Sequence, residues 1–201
     1  MTTIAFLAAV SPFAIAMSFT PGPNNLMLAN SGARFGFVRT LPHQVGVLIG
    51  FALMMLCVGL GVSALIVAEP ALYRAMKIAS IVYIFWLAWK IVTVEARGAG
   101  PGAVKPMGFL QGAAFQWVNP KAWVMTLTAV ATYTTLHDDL RLQVALLAMV
   151  FAVVGAASGS TWVMFGQMIR RYLISPRRRS AYNWTMAALL VASILPVMFE
   201  H

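Results

Sequence analysis

Thr20-Pro21-Gly22-Pro23-Asn24-Asn25 interrupts one long apolar run of this chain, and Asn119-Pro120-Lys121 interrupts another. Proline has no backbone N–H and clashes with the turn before it, so an α-helix cannot run smoothly through either site. In hydrocarbon the freed carbonyls and amides must find partners, because no water reaches them. Irregular backbone at that depth therefore persists only where protein buries it or a polar cavity meets it. Breaks in corresponding positions of two halves of a chain are the arrangement by which carriers build a binding site near the bilayer midplane.

The surrounding composition fits a membrane. Of 201 residues, 61% are hydrophobic and 9% charged, with a mean hydropathy of +0.82. A soluble domain of this size has no use for so much apolar surface. Six stretches reach the ~17 to 25 helical residues that a hydrocarbon core requires: 4–31, 42–67, 71–94, 108–134, 143–166 and 181–199. They fill most of the chain and leave no room for a soluble catalytic domain. Met1-Thr2-Thr3-Ile4 has no basic residue ahead of the apolar run, so the first segment reads as a retained span rather than a cleaved signal.

The formal charge of +9 is a topology signal. Arg34 and Arg39 fall in the first connection, Lys90, Arg97 and Lys105 around the third, and Arg170, Arg171, Arg177, Arg178 and Arg179 in the fifth. Odd connections share one side. Arg74, Lys77 and Arg141 fall on the other, with Glu69, Asp138, Asp139 and Glu200. Lys and Arg mark the cytoplasmic face, which places both termini outside. Nucleic acid is not an expected partner; membrane lipid is, and the fifth connection could also meet anionic headgroups. Cys57, the single cysteine, reads as a small buried hydrophobe.

Three spans followed by three suggest an internal duplication within a single transport domain, 1–201. A first repeat over 1–96 and a second over 108–201 flank a cytoplasmic linker, 97–107, whose neighbourhood holds Gly98, Gly100, Pro101, Gly102 and Pro106. An odd number of spans per repeat inserts the second upside down. The expected fold is thus all-α and polytopic: six transmembrane helices as an inverted 3+3 repeat with broken first and fourth spans. The middle span of each half carries a GxxxG, Gly46 to Gly50 and Gly155 to Gly159. Such pairs let helix backbones approach closely, within one chain or between two, which leaves a homodimer open. The glycine pairs are offset by more residues than the breaks, so the halves are not in strict register.

Polar residues in the spans are few. Lys121 stands out, since a lysine at the bilayer centre costs about 3 kcal/mol on insertion scales and no span offers an Asp or Glu to pair with it. Its partner could be a substrate carboxylate, carbonyls freed at a break, or lipid phosphate if it snorkels. Pro21, Gly22, Pro23 and Pro120 shape the breaks. Asn24, Asn25, Asn119 and Gln116 can offer donors and acceptors to an amino-acid ligand, or the asparagines can cap the half-helices that follow. His43 is expected at an interface rather than on a proton path. No Walker loop, HExxH, CxxC or intramembrane carboxylate pair is present, and His43, His137 and His201 are scattered. An enzyme, a cofactor and a metal site are therefore not expected.

Several of these stretches resemble the lysine-exporter superfamily of bacterial amino-acid exporters. They are Thr20-Pro21-Gly22-Pro23-Asn24-Asn25-Leu26-Met27-Leu28-Ala29-Asn30 with Gly32, Gly36, Gly46 and Gly50, then Ala79 to Lys90 around Tyr83, Trp86 and Trp89. Phe109-Leu110-Gln111-Gly112 leads to Asn119-Pro120-Lys121-Ala122. Ala79 and Ala88 depart from the glycine common there. The double asparagine and the aromatic run are closest to the cysteine and O-acetylserine exporter branch. The resemblance implies inner-membrane efflux of amino acids or close derivatives, coupled to the proton gradient or membrane potential. It places the functional positions at Pro21, Gly22, Pro23, Asn24, Asn119, Pro120 and Lys121. A helical scaffold without transport activity, or a channel-like or metal-ion facilitator, is the competing class.

Overall fold

The computed structural model describes residues 2–62, 70–96, 105–134 and 139–195. Positions 97–104 of the expected linker, and Glu69, His137, Asp138, Glu200 and His201, lie outside them. Eight α-helices are present among the described residues, and no strand. They are α1 (Thr3–Phe19), α2 (Pro23–Phe35), α3 (Phe37–Cys57), α4 (Pro70–Ala96), α5 (Phe109–Phe115), α6 (Pro120–Tyr133), α7 (Leu140–Arg170) and α8 (Pro176–Ala192). A π turn, Val58–Val62, ends α3, and a 3-10 turn, Gln116–Val118, follows α5. α1 and α2 are bent by 55° at the first break. The second break separates α5 and its 3-10 turn from α6.

Local sequence sets these boundaries. α2, α6 and α8 all begin with proline at their first positions, where the missing N–H has no intrahelical partner to lose. Asn119, Asp139 and Ser175 cap α6, α7 and α8 with side-chain oxygens. Between α2 and α3 the chain turns on Gly36 alone, at φ 81°, a backbone region glycine enters without a Cβ penalty. Arg177, Arg178 and Arg179, expected in a connection, instead form the first turn of α8, because Ser175-Pro176 starts the helix early.

Two apolar cores hold the helices. One gathers Phe6, Val10 and Ala14 of α1 with Met54 of α3, Trp123 of α6 and Phe151 of α7. Phe6, Val10, Ala14 and Ser18 recur every fourth residue and make one buried stripe of α1. The other core gathers Leu26 and Met27 of α2, Ile84 and Ala88 of α4, Phe115 of α5 and Leu190 of α8. The chain therefore changes core at each break, and does so in opposite order at the two. α1 and α6 serve the first core; α2 and α5 serve the second.

Close crossings use small residues. A Cβ on Gly46 would fall on the Phe109 backbone and one on Gly50 on the Ala113 backbone, so this pair packs α3 on α5 within the chain. Gly32 of α2 lies against the Val163 carbonyl of α7, and Gly166 of α7 against the Ala29 carbonyl of α2. Outward faces are apolar: Ile78, Val82, Trp86 and Trp89 on α4, and Val153, Met164 and Met168 on α7, are exposed. Among the described residues, Phe37–Gly61 and Leu140–Arg170 are long and apolar enough to cross a membrane, and α1 with α2 makes a third if counted as one bent span. The 31 residues of α7 extend about 46 Å at ~1.5 Å per residue, more than the ~30 Å hydrocarbon thickness.

Candidate functional site

The first break frees carbonyls in a predictable way. Pro21 and Pro23 cannot donate to Met17 and Phe19, and the bend takes Gly22 and Asn24 away from Ser18 and Thr20. Side chains take over. Thr20 Oγ1 donates to the Met17 carbonyl at 2.9 Å. Asn25 Nδ2 donates to the Ser18 carbonyl at 2.7 Å and to the Thr20 carbonyl at 2.9 Å. Ser158 Oγ of α7 adds a second donor to Ser18, at 2.7 Å. Asn25 thus does not cap α2; its Nδ2 serves the two carbonyls that the bend leaves free.

At the second break Asn119 accepts from the Lys121 amide at 3.2 Å, which makes it the N-cap of α6. Gln116, fully buried, donates to the Gly112 carbonyl at 2.9 Å. It also exchanges two hydrogen bonds with Asn24: Asn24 Nδ2 to Oε1 at 2.8 Å and Nε2 to Asn24 Oδ1 at 3.1 Å. The two breaks therefore touch through a reciprocal amide pair.

Lys121 makes the second link between them. Its Nζ donates to the Thr20 carbonyl and to Thr20 Oγ1, both at 2.8 Å, and lies 3.5 Å from the Pro21 carbonyl. Of the three partners the sequence left open, freed carbonyls are the one found. Gly22 makes room for this: a Cβ there would sit 2.6 Å from Lys121 Cδ. All three acceptors are neutral, so Lys121 is hydrogen-bonded there without a counter-charge.

A cavity of about 70 Å³ opens beside these groups, where one water needs about 10–15 Å³. Gly22 and Asn119, the residues preceding α2 and α6, both line it, with Asn24, Asn25 and Lys121. Two helix N-termini, each carrying a partial positive charge of about half a unit, thus face one cavity together with an ammonium. No acidic residue is among those lining it. Phe51, Met125 and Phe151 supply an apolar wall.

Gln44 and Ser158 were not assigned to the site from sequence, and Gly155 with Gly159 was read there only as a packing pair. Gln44 of α3 donates Nε2 to the Ala156 carbonyl at 3.1 Å and to Ser160 Oγ at 2.9 Å. Its Oε1 is buried with no partner, and the residue lines the cavity. Gly155 and Gly159 also line it, so this second GxxxG makes space instead of packing helices. Ser158 belongs to the same small-residue run, Gly155 to Ser160, whose hydroxyls were the available signal. His43, expected at an interface, is buried at 1% exposure inside the bundle.

Residues 15–198 match the LysE type translocator family. The chain belongs to that family. Relatives of this translocator include the cysteine/O-acetylserine efflux protein of Escherichia coli strain K12, 30% identical over 198 residues, which are 98% of this chain and 100% of the relative. A protein of the same description from Shigella flexneri serotype 5b is 30% identical over 200 residues, 99% and 100% of the two chains. No solved structure matches the translocator.

Proposed function

We propose that this chain is an inner-membrane carrier that exports amino acids or close derivatives from the cytoplasm, with cysteine and O-acetylserine as first candidates. The observation that carries it is the single cavity shared by both half-helix N-termini and Lys121. A carboxylate there meets the positive ends of two helix dipoles and a lysine lacking a counter-charge. The substrate ammonium needs an acceptor, and Gln44 Oε1, buried and unpartnered, supplies one. Asn24 and Gln116 hold the cavity's shape instead of grasping the ligand, since both atoms of each amide are spent on protein, whereas Asn25 Oδ1 and Asn119 Nδ2 stay with the candidate ligand contacts. The amino-acid derivatives named for the relatives have the same zwitterionic head.

The proposal extends to architecture and drive. Six spans as an inverted 3+3 repeat are supported by the opposite order in which the chain changes core at the two breaks, and α3 packing on α7 and α4 on α8 is compatible with a two-fold relation. Rocking of one repeat against the other would alternate access, with both termini outside and the proton gradient or membrane potential as the driving force. The test is release from bacteria preloaded with a panel of amino acids, including cysteine and O-acetylserine, with and without a protonophore. Faster release of a small subset, slowed by the protonophore, is expected. No difference across the panel would transfer the assignment to a scaffold or to other solutes.

Gln44→Leu gives a narrower check. A hydrogen bond to a charged group contributes about 1.5–3 kcal/mol, so the half-saturating substrate concentration should rise about tenfold or more. An unchanged value at equal membrane abundance removes Gln44 from ammonium recognition.

A further inference from the structure

A second cavity, of about 100 Å³, lies along a different face of α2: Met27, Asn30, Ser31 and Arg34 line it, where Asn24, Asn25 and Leu28 line the first. Arg34 from the end of α2, Lys90 from α4 and Lys105 from the segment before α5 converge on it, and no lining residue is acidic. The structure thereby brings the first and third connections to one end of the bundle, the end that the charge pattern assigns to the cytoplasm.

Three cationic side chains from three segments line one cavity with no acidic residue beside them, an arrangement that an anion would neutralise. The inner wall points the same way. His43 lines the cavity at 1% exposure, and neither ring nitrogen has a hydrogen-bond partner; Asn30 Oδ1 is also buried and unpartnered. Each buried polar group left unpaired costs about 1–3 kcal/mol, so two at one wall indicate a ligand with hydroxyl or amine groups of its own. Leu87 and Ile91 make the remaining wall apolar. Beside it Lys90 lies 4.7 Å over the Trp86 ring, and Trp86 and Trp89 are exposed on the outer face of α4, a composition suited to the headgroup level of a bilayer.

We infer that this cavity binds the phosphodiester of an anionic glycerophospholipid. Arg34, Lys90 and Lys105 take the phosphate oxygens, and His43 and Asn30 take the polar headgroup. The apolar wall of α4 receives the start of an acyl chain. Basic pockets between membrane helices are suited to such headgroups. Exposed Trp86 and Trp89 beside the cavity, at the level suited to headgroups, favour the lipid over free inorganic phosphate, which presents the same oxygens.

The test is lipid binding to the purified full-length protein in detergent, read by native mass spectrometry, with short-chain phosphatidylglycerol, phosphatidylcholine and inorganic phosphate as probes. Wild type should hold one phosphatidylglycerol per chain at least about tenfold more tightly than phosphatidylcholine. Arg34→Gln with Lys105→Gln should lose that preference, whereas Arg34→Lys with Lys105→Arg, which keeps both charges, should retain it. Equal phosphatidylglycerol binding by the neutral double variant would overturn the assignment. Displacement of the lipid by inorganic phosphate would overturn the lipid as occupant and leave a free-anion site.

Discussion

Lys121→Ala should reduce export by at least about tenfold, the effect of losing one hydrogen-bonded charge, while the chain remains folded and inserted at wild-type abundance. Folding should survive because Lys121 is not the sole partner of the carbonyl it contacts: Asn25 Nδ2 also donates to Thr20. The link between the breaks should survive too, through Asn24 and Gln116. What the substitution removes is the ammonium at the cavity, with no other cationic residue lining it. Lys121→Met separates charge from packing, since it keeps a flexible stem over Gly22, where the lysine chain lies. Both variants should fail alike. Export at the wild-type rate by either, at equal abundance in the membrane, would remove Lys121 from substrate recognition. Failure of Ala with success of Met would assign it a packing role.

The sequence made the breaks legible because proline and glycine act locally. No context restores an N–H to Pro21, Pro23 or Pro120. Lys121 was legible because a charge in an apolar span needs a cause. The roles of the amides were not legible, because they depend on which carbonyls the bend leaves free and on partners far along the chain. Ser158 reaches the Ser18 carbonyl across 140 positions, and Gln116 meets Asn24 across 92. The glycine pairs show the same limit. Gly46 and Gly50 face another backbone, but Gly155 and Gly159, with the same spacing, face a cavity. Spacing places two glycines on one face of a helix; it does not say what stands opposite.

Gly166 shows what such a face does when a backbone stands opposite, and Gly166→Val should have the second large effect: a several-fold loss of folded protein from the membrane. Its Cβ would fall on the Ala29 carbonyl, and Gly32, across the same crossing, already lies against the Val163 carbonyl. Both obstacles are helix backbone, which cannot rotate away as a side chain can. Overpacking costs about 1–3 kcal/mol where side chains yield, and here α2 and α7 must part instead. In a bilayer little else holds them, because helix association there rests on close packing and interhelical hydrogen bonds. Separation would also carry α2 away from Gln116 and draw Ser158 off Ser18, which undoes the contacts on both sides of the first break. Gly155→Ala is the matched control: its nearest obstacle is the end of a leucine side chain, Leu48 Cδ2 at 3.1 Å, so abundance should stay near wild type. If Gly166→Val accumulates as well as Gly155→Ala, the α2–α7 crossing does not hold the breaks in place, and rigidity at the cavity must come from the amide pair and Lys121.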